Sequence, residues 1–187
     1  MMKNLYMVDC FNVVYEEIAP AFFRKHFSEE EAKRLKDYYF VDIDLGKVTL
    51  EEFFVQIQED YPEITEEELK NVWYRKPTLN EAILPYLQKM REKGEVVLVS
   101  NAPKGFVEKI FREQGTDRYF DAIYSSSALH LAKPDLAIYK HVINDRHQDF
   151  AEIYMIDDNA NNLAKLDSIG VKGILFKDVK SLDPLVK

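Results

Sequence analysis

LYMVDCFNVV, the stretch from Leu5 to Val14, is an apolar run that a single acid interrupts. Two later stretches have a related form, an apolar run that stops at polar side chains: EVVLVSN and IYMIDDNANN. The polar residues that end the three runs are Asp9, Ser100, Asn101, Asp157 and Asp158. Runs this short predict buried parallel strands, and parallel sheets bind ligands at the carboxyl ends of their strands. We therefore expect these polar groups to meet at one edge of a sheet.

The order of segments after about residue 80 predicts an α/β fold, a parallel sheet flanked by helices. Helix-like stretches at 81–93, 104–114, 135–143 and 161–168 alternate with strand-like stretches at 96–99, 122–124, 153–156 and 173–176. Such βαβ alternation is typical of parallel sheets. In this scheme Gly94 ends the first of these helices, and Pro134 starts the third.

Residues 16–78 differ from the rest of the chain because their pattern is mostly helical. Ser28, Thr49 and Thr65 each precede an acid by three residues, which is the pattern of a helix N-terminus. We expect a small α-helical cap here, inserted after the first strand, and a core formed by residues 1–15 and 79–187. The aromatic residues of this insertion are expected to form its core: Phe22, Phe23, Phe27, Tyr38, Tyr39, Phe40, Phe53 and Phe54.

Composition argues against several classes of protein and of site. The 187 residues carry a net charge of -8, which argues against a nucleic-acid binder because such proteins depend on clustered Lys and Arg. No apolar run approaches the length that a membrane span requires. Cys10 is the only cysteine, which fits a reducing, cytoplasmic compartment. The four histidines lack the spacing of a metal site. The oligomeric state is left open.

The four stretches VDCFNVV, VLVSN, LAKPDLAIY and MIDDNANN, in this order, resemble the motifs of the haloacid dehalogenase-like (HAD) hydrolase superfamily. The resemblance covers nearly the whole chain and is closest to small-capped members similar to sugar phosphatases. It implies a Rossmann-like core, Mg²⁺ as cofactor and a small phosphorylated metabolite as substrate. It also implies hydrolysis of phosphomonoesters through an aspartyl-phosphate.

The resemblance assigns a role to each motif. Asp9 is the expected nucleophile, and a carboxylate that attacks phosphorus divides hydrolysis into two easier steps. Ser100, Asn101 and Lys133 are expected to hold and neutralise the phosphoryl group. The expected metal site comprises Asp9, the Phe11 carbonyl and Asp158, supported by Asp157. Asn159 and Asn162 are expected to support the metal loop.

Simpler interpretations of these residues exist. Asp9 could cap a loop, and Ser100 could begin a helix ahead of Pro103. Asp157 and Asp158 could be a solvated turn before a helix. These structural roles do not exclude the chemical ones.

Phe11 departs from the pattern of most phosphatases in this superfamily. They place an Asp two residues after the nucleophile, where it protonates the leaving oxygen and then activates water, and a phenyl ring cannot transfer a proton. One alternative is a 2-haloacid dehalogenase that uses Asp9 without metal, since those enzymes carry an aromatic residue at this place. Another is a non-catalytic binding module with the same fold.

Overall fold

A computed structural model of the chain describes residues 2–187, and its centre is a five-stranded parallel sheet. The strands are β1 (Asn4–Val8), β2 (Gly94–Ser100), β3 (Ala122–Ser125), β4 (Ile153–Asp157) and β5 (Val171–Leu175). Their order across the sheet is β3-β2-β1-β4-β5, so that β1 lies in the middle between β2 and β4. The predicted α/β class is confirmed, and the three polar strand ends come from three adjacent strands.

Ten α-helices accompany the sheet within residues 2–187. Four lie between β1 and β2: α1 (Ala19–His26), α2 (Glu29–Asp44), α3 (Leu50–Asp60) and α4 (Glu66–Trp73). The other six are α5 (Leu84–Lys93), α6 (Phe106–Gln114), α7 (Ser126–Leu129), α8 (Leu136–Asp145), α9 (Ala160–Leu163) and α10 (Asp183–Val186). In the part of the chain that the structure describes, no helix is long and apolar enough to cross a membrane.

Alternate residues of β1 enter two apolar clusters. Tyr6 and Val8 face the cluster that continues into α1 to α4, whereas Leu5 and Met7 face the cluster beneath α8. Both faces of this strand are fully covered, which is why its sequence is uniformly apolar rather than alternating. The strand end that carries Asp9 is thereby held in the middle of the molecule.

The four helices α1 to α4 fall within the predicted cap segment 16–78. The side chains of Ser28, Thr49 and Thr65 accept hydrogen bonds from Glu31 N, Glu52 N and Glu68 N, as their N-terminal pattern indicates. Of the eight aromatic residues expected in its core, six are buried, Phe27 is partly buried and Tyr38 is 68% exposed. The assignment of this segment as a cap stays a prediction.

Two local predictions and one alternative interpretation were wrong. Residues 161–168 do not form one helix, because α9 ends at Leu163 and a separate 3₁₀ turn spans Leu166–Ile169. Pro134 does not start a helix, since Asp135 caps α8 by accepting a 2.9 Å hydrogen bond from Ala137 N. Ser100 caps no helix either, because the N-cap of α6 is Gly105.

Candidate active site

Asp9 directly follows β1 and is 8% exposed. Its Oδ1 accepts a 2.7 Å hydrogen bond from Cys10 N and lies 2.7 Å from Lys133 Nζ. Within residues 2–187 no hydrogen bond or ion pair is made to Oδ2, and the residue lines a cavity. One carboxylate oxygen is therefore fixed while the other is free to react.

Lys133 joins two strand ends electrostatically. Its Nζ lies 2.7 Å from Asp9 Oδ1 and 2.7 Å from Asp157 Oδ2, and its side chain is almost fully buried. Burial disfavours the ammonium, but attraction by the two carboxylates outweighs that effect and raises the pKa of Lys133 above its ordinary value. The lysine is thus a permanent positive charge at the carboxyl edge of the sheet.

The same environment acts on Asp9. Burial raises the pKa of this carboxyl above its ordinary value, and the charge of Asp157 adds to the effect. The Lys133 ammonium and the Cys10 N–H oppose it by stabilising the ionised form. The ion pair with Lys133 therefore keeps a buried carboxylate available as a nucleophile.

Asp157 is completely buried, and both of its oxygens have partners. Oδ1 accepts from Asn159 N at 2.8 Å, Oδ2 accepts from Lys133 Nζ, and the Asn162 amide lies 3.0 Å from each oxygen. These bonds leave Asp157 little capacity for a further ligand. Its geometry suits the support of Lys133 and of the metal loop.

Asp158 has a different environment although it is the next residue. It is partly buried at the cavity, and Oδ2 accepts a 3.0 Å hydrogen bond from Asn12 Nδ2. Burial raises the pKa of Asp158, while the Asn12 amide lowers it. Asn12 was not predicted as a site residue. Its left-handed backbone, with φ 59°, is a conformation that Asn tolerates better than most residues.

Asp9, Asp157 and Asp158 form the acidic cluster of the described chain. One oxygen from each lies within 4.8 Å of the others, and Asp9 and Asp158 have more capacity for a further ligand than Asp157. Such a set of hard oxygen donors fits a Mg²⁺ ion that keeps several waters. Phe11 lies between Asp9 and Asn12, and its ring is 6.3 Å from that of Phe106. The metal role of the Phe11 carbonyl stays a prediction.

The motif VLVSN ends in one buried residue, Ser100, and one residue at the cavity, Asn101. Ser100 has no exposed surface, and its Oγ lies 3.4 Å from Asn101 O. Asn101 lines the cavity and binds the Lys133 backbone at both amide ends, with distances of 2.9 and 3.0 Å. Asn101 thus holds the lysine loop in place. The phosphate-binding roles of Ser100 and Asn101 stay predictions.

The cavity at this edge has a volume of about 1050 Å³. Its walls combine the motif residues with apolar side chains from the helices and loops, namely Phe11, Phe40, Val41, Trp73 and Phe106. Asp44 and His130 also line it and were not predicted. A sequence signal for Asp44 exists, because it follows the buried Phe40 by four residues on the same face of α2.

The sequence model of one protein family, the haloacid dehalogenase-like hydrolases, matches residues 4–170 of this chain. The chain belongs to this family, and is a HAD-like hydrolase.

A similar solved structure is a HAD family enzyme from Bacteroides thetaiotaomicron in complex with magnesium and inorganic phosphate. It is 26% identical, with a TM-score of 0.72, and the match covers 92% of this chain and 93% of that chain.

Two curated relatives match about half of the chain. The drimenol cyclase drtB of Aspergillus calidoustus is 27% identical over 95 residues, which are 49% of this chain and 18% of that protein. The sesquiterpene phosphatase astK of Aspergillus oryzae is 26% identical over 93 residues, which are 49% of this chain and 47% of that protein. The matches span less than half the length of either relative.

Proposed function

We propose that this chain hydrolyses small phosphomonoesters through an aspartyl-phosphate on Asp9, with Mg²⁺ bound by Asp9 and Asp158 and by the Phe11 carbonyl. The observation that carries the proposal is the state of Asp9, whose Oδ1 is held by Cys10 N and Lys133 while Oδ2 is free at the cavity. An anionic nucleophile must approach an anionic phosphoryl group, and the Lys133 ammonium supplies compensating charge.

The proposed roles follow from these contacts. Asp9 Oδ2 attacks phosphorus, while Lys133 holds Oδ1 and attracts the phosphoryl oxygens. Asp157 positions Lys133, and Asn101 holds the backbone of the same residue. When bound, Mg²⁺ would neutralise part of the phosphate charge. Ser100 and the nearby backbone complete the phosphate site in this proposal.

The substrate is proposed to be a small phosphorylated metabolite. Sugar phosphates are the first candidates because the motifs resemble those of sugar phosphatases. A second candidate class is an apolar monophosphate. The aromatic walls formed by Phe11, Phe40, Trp73 and Phe106 support it, as does the likeness to a sesquiterpene phosphatase. A cytoplasmic location stays a prediction from the single cysteine.

Phosphate release tests this proposal directly. Purified protein is assayed with glucose 1-phosphate, glucose 6-phosphate, farnesyl phosphate and p-nitrophenyl phosphate, in Mg²⁺ and in EDTA. We expect Mg²⁺-dependent turnover that Asp9→Asn abolishes and that Asp158→Asn shifts to higher Mg²⁺ concentration. Asp149→Asn, an exposed acid away from the cavity, is the matched control.

Two outcomes would replace the proposal. Chloride release from 2-chloropropionate in EDTA, without phosphatase activity, would establish the dehalogenase alternative. If phosphate binds to the Mg²⁺-loaded protein without turnover of any compound, the chain is a binding module.

A further inference from the structure

Asp44 is an acid at the cavity for which the proposed mechanism has no role. It is the last residue of α2, is 8% exposed, and lines the same cavity as Asp9, Lys133 and Asp158. It shares a neighbour with the nucleophile, since the charge of Lys133 acts on the carboxyl groups of both Asp44 and Asp9. A carboxyl group buried this deeply needs partners or a function to offset the cost of desolvation.

The end of α2 is held against residues 127–130, which follow β3. Leu45 O lies 2.8 Å from His130 Nδ1, one residue after Asp44. Gly46 follows with φ 69°, and its backbone approaches the Ser127 carbonyl so closely that a Cβ would overlap with it. The two residues that follow Asp44 are therefore held against residues 127–130, which fixes Asp44 at the cavity.

The position that usually provides the acid is occupied by a residue that cannot transfer protons. Phe11 also lines the cavity, and its ring packs against Phe106. Hydrolysis of an alkyl phosphate still requires a proton for the leaving oxygen and a base for the attacking water. Among the cavity acids, Asp9 and Asp158 are assigned to nucleophile and metal, and three others are partly buried or exposed: Glu17, Asp37 and Asp135. Asp44 is the buried acid that is left.

We propose that Asp44 is the catalytic acid and base of this phosphatase, supplied by α2 in place of the residue at position 11. This inference rests on the proposed function. In the first step the Asp9 Oδ2–phosphorus bond forms, the bond from phosphorus to the leaving oxygen breaks, and the Asp44 proton moves to that oxygen. In the second step water attacks phosphorus, its proton returns to Asp44, and the bond to Asp9 breaks to release phosphate.

The environment of Asp44 suits both steps. Burial raises the pKa of this carboxyl to about 6, against the opposing effects of Lys36, Lys133 and Asn101. Near neutral pH both the protonated and the ionised form of Asp44 are then populated. A group that donates a proton and later accepts one must be able to adopt both forms.

The test compares Asp44→Asn with wild type on two kinds of leaving group. The first substrate is the sugar phosphate or farnesyl phosphate that wild type hydrolyses fastest, whose leaving group is a basic alkoxide. For this substrate we expect kcat to fall by roughly 10²- to 10⁴-fold. p-Nitrophenolate departs without a proton, so the first step should survive. The second step still lacks its base, and we expect a burst of about one equivalent of nitrophenolate followed by slow turnover.

Asp42→Asn is the matched control, since Asp42 lies on the same helix, is exposed and pairs with Lys47 at the surface. Circular dichroism of each variant verifies folding. The inference is overturned if Asp44→Asn retains wild-type kcat for the alkyl phosphate. It is equally overturned if both substrates lose activity alike without a burst, since that pattern marks a structural role. Absence of turnover in wild type would instead refute the proposed function, and this inference with it.

Discussion

The ammonium of Lys133 lies 2.7 Å from Oδ1 of Asp9. The same nitrogen is 2.7 Å from Oδ2 of Asp157, so one positive charge compensates two buried negative charges. Buried ion pairs contribute modestly as units, but removal of one partner leaves an uncompensated charge in a medium of low polarity. The site is therefore part of the protein's stability as well as of its chemistry.

We expect Lys133→Met to destabilise the protein by about 3–5 kcal/mol at pH 7. The loss should be smaller at pH 5. Without the ammonium, burial raises the pKa of Asp9 further above that of the unfolded chain, so the folded state binds more protons and stability falls as pH rises. Urea unfolding at both pH values measures the effect. A cost that is equal at pH 5 and pH 7 would contradict this account of the charges.

The Asn162 side chain gives a second stability prediction. Its amide lies 3.0 Å from each oxygen of Asp157, which is buried and charged. Loss of a hydrogen bond to a charged group costs about 1.5–3 kcal/mol, and we expect this loss for Asn162→Ala. Asn161→Ala, an exposed neighbour in α9, is the control and should change the free energy of unfolding by less than about 0.5 kcal/mol. Equal effects of the two variants would contradict the prediction.

The sequence was sufficient to predict that the motif residues lie at the ends of parallel strands. It was less informative about where the helices between them begin and end. Apolar runs before Asp9, Ser100 and Asp157 were sufficient to predict parallel strands, because burial on both faces leaves a local signature. The break between α9 and the following 3₁₀ turn has no such signature. Asn162 there bonds with Asp157, and Leu166 enters the core, and neither contact appears in the helical spacing of the sequence.

The same distinction applies to the site. Asp9, Asp157, Asp158, Lys133 and Asn101 follow from motifs at strand ends or in the loops beside them. Asn12 and Asp44 were missed because their roles depend on tertiary contacts, one through a left-handed backbone and the other through the position of α2. An acid four residues after Phe40 on an apolar helix face was the available signal, and it is weak without the cavity.

Gly46→Ala tests the attachment of α2. Gly46 has φ 69°, and an added Cβ would overlap with the Ser127 carbonyl oxygen. Gly115→Ala is the matched control, because Gly115 has φ 66° with open space around its Cα. The control should cost about 1–2 kcal/mol from its left-handed backbone alone, and Gly46→Ala should cost more. Thermal unfolding of both variants gives the comparison.

Activity provides a second measurement for the same pair of variants. Displacement of the end of α2 moves Asp44 away from the reacting groups, and we expect Gly46→Ala to lower kcat for alkyl phosphates while Gly115→Ala leaves kcat near that of wild type. An unchanged kcat in a destabilised Gly46→Ala protein would show that the position of Asp44 does not depend on this contact.

The raised pKa of Asp44 makes a prediction about stability that is independent of turnover. The folded-state pKa is about 6 and the ordinary value is 3.8, so between these values the folded protein binds a proton that the unfolded chain has lost. The contribution of Asp44 to stability therefore falls as pH rises from about 4 to 6 and then levels off. Asp44→Asn removes this penalty, and we expect it to be more stable than wild type at pH 7 by roughly 1–3 kcal/mol.

At pH 4 wild type and Asp44→Asn should differ little in stability, and Asp42→Asn should follow wild type throughout. Chemical unfolding from pH 4 to pH 7.5 makes the comparison, and a difference between wild type and Asp44→Asn that does not grow with pH would contradict it.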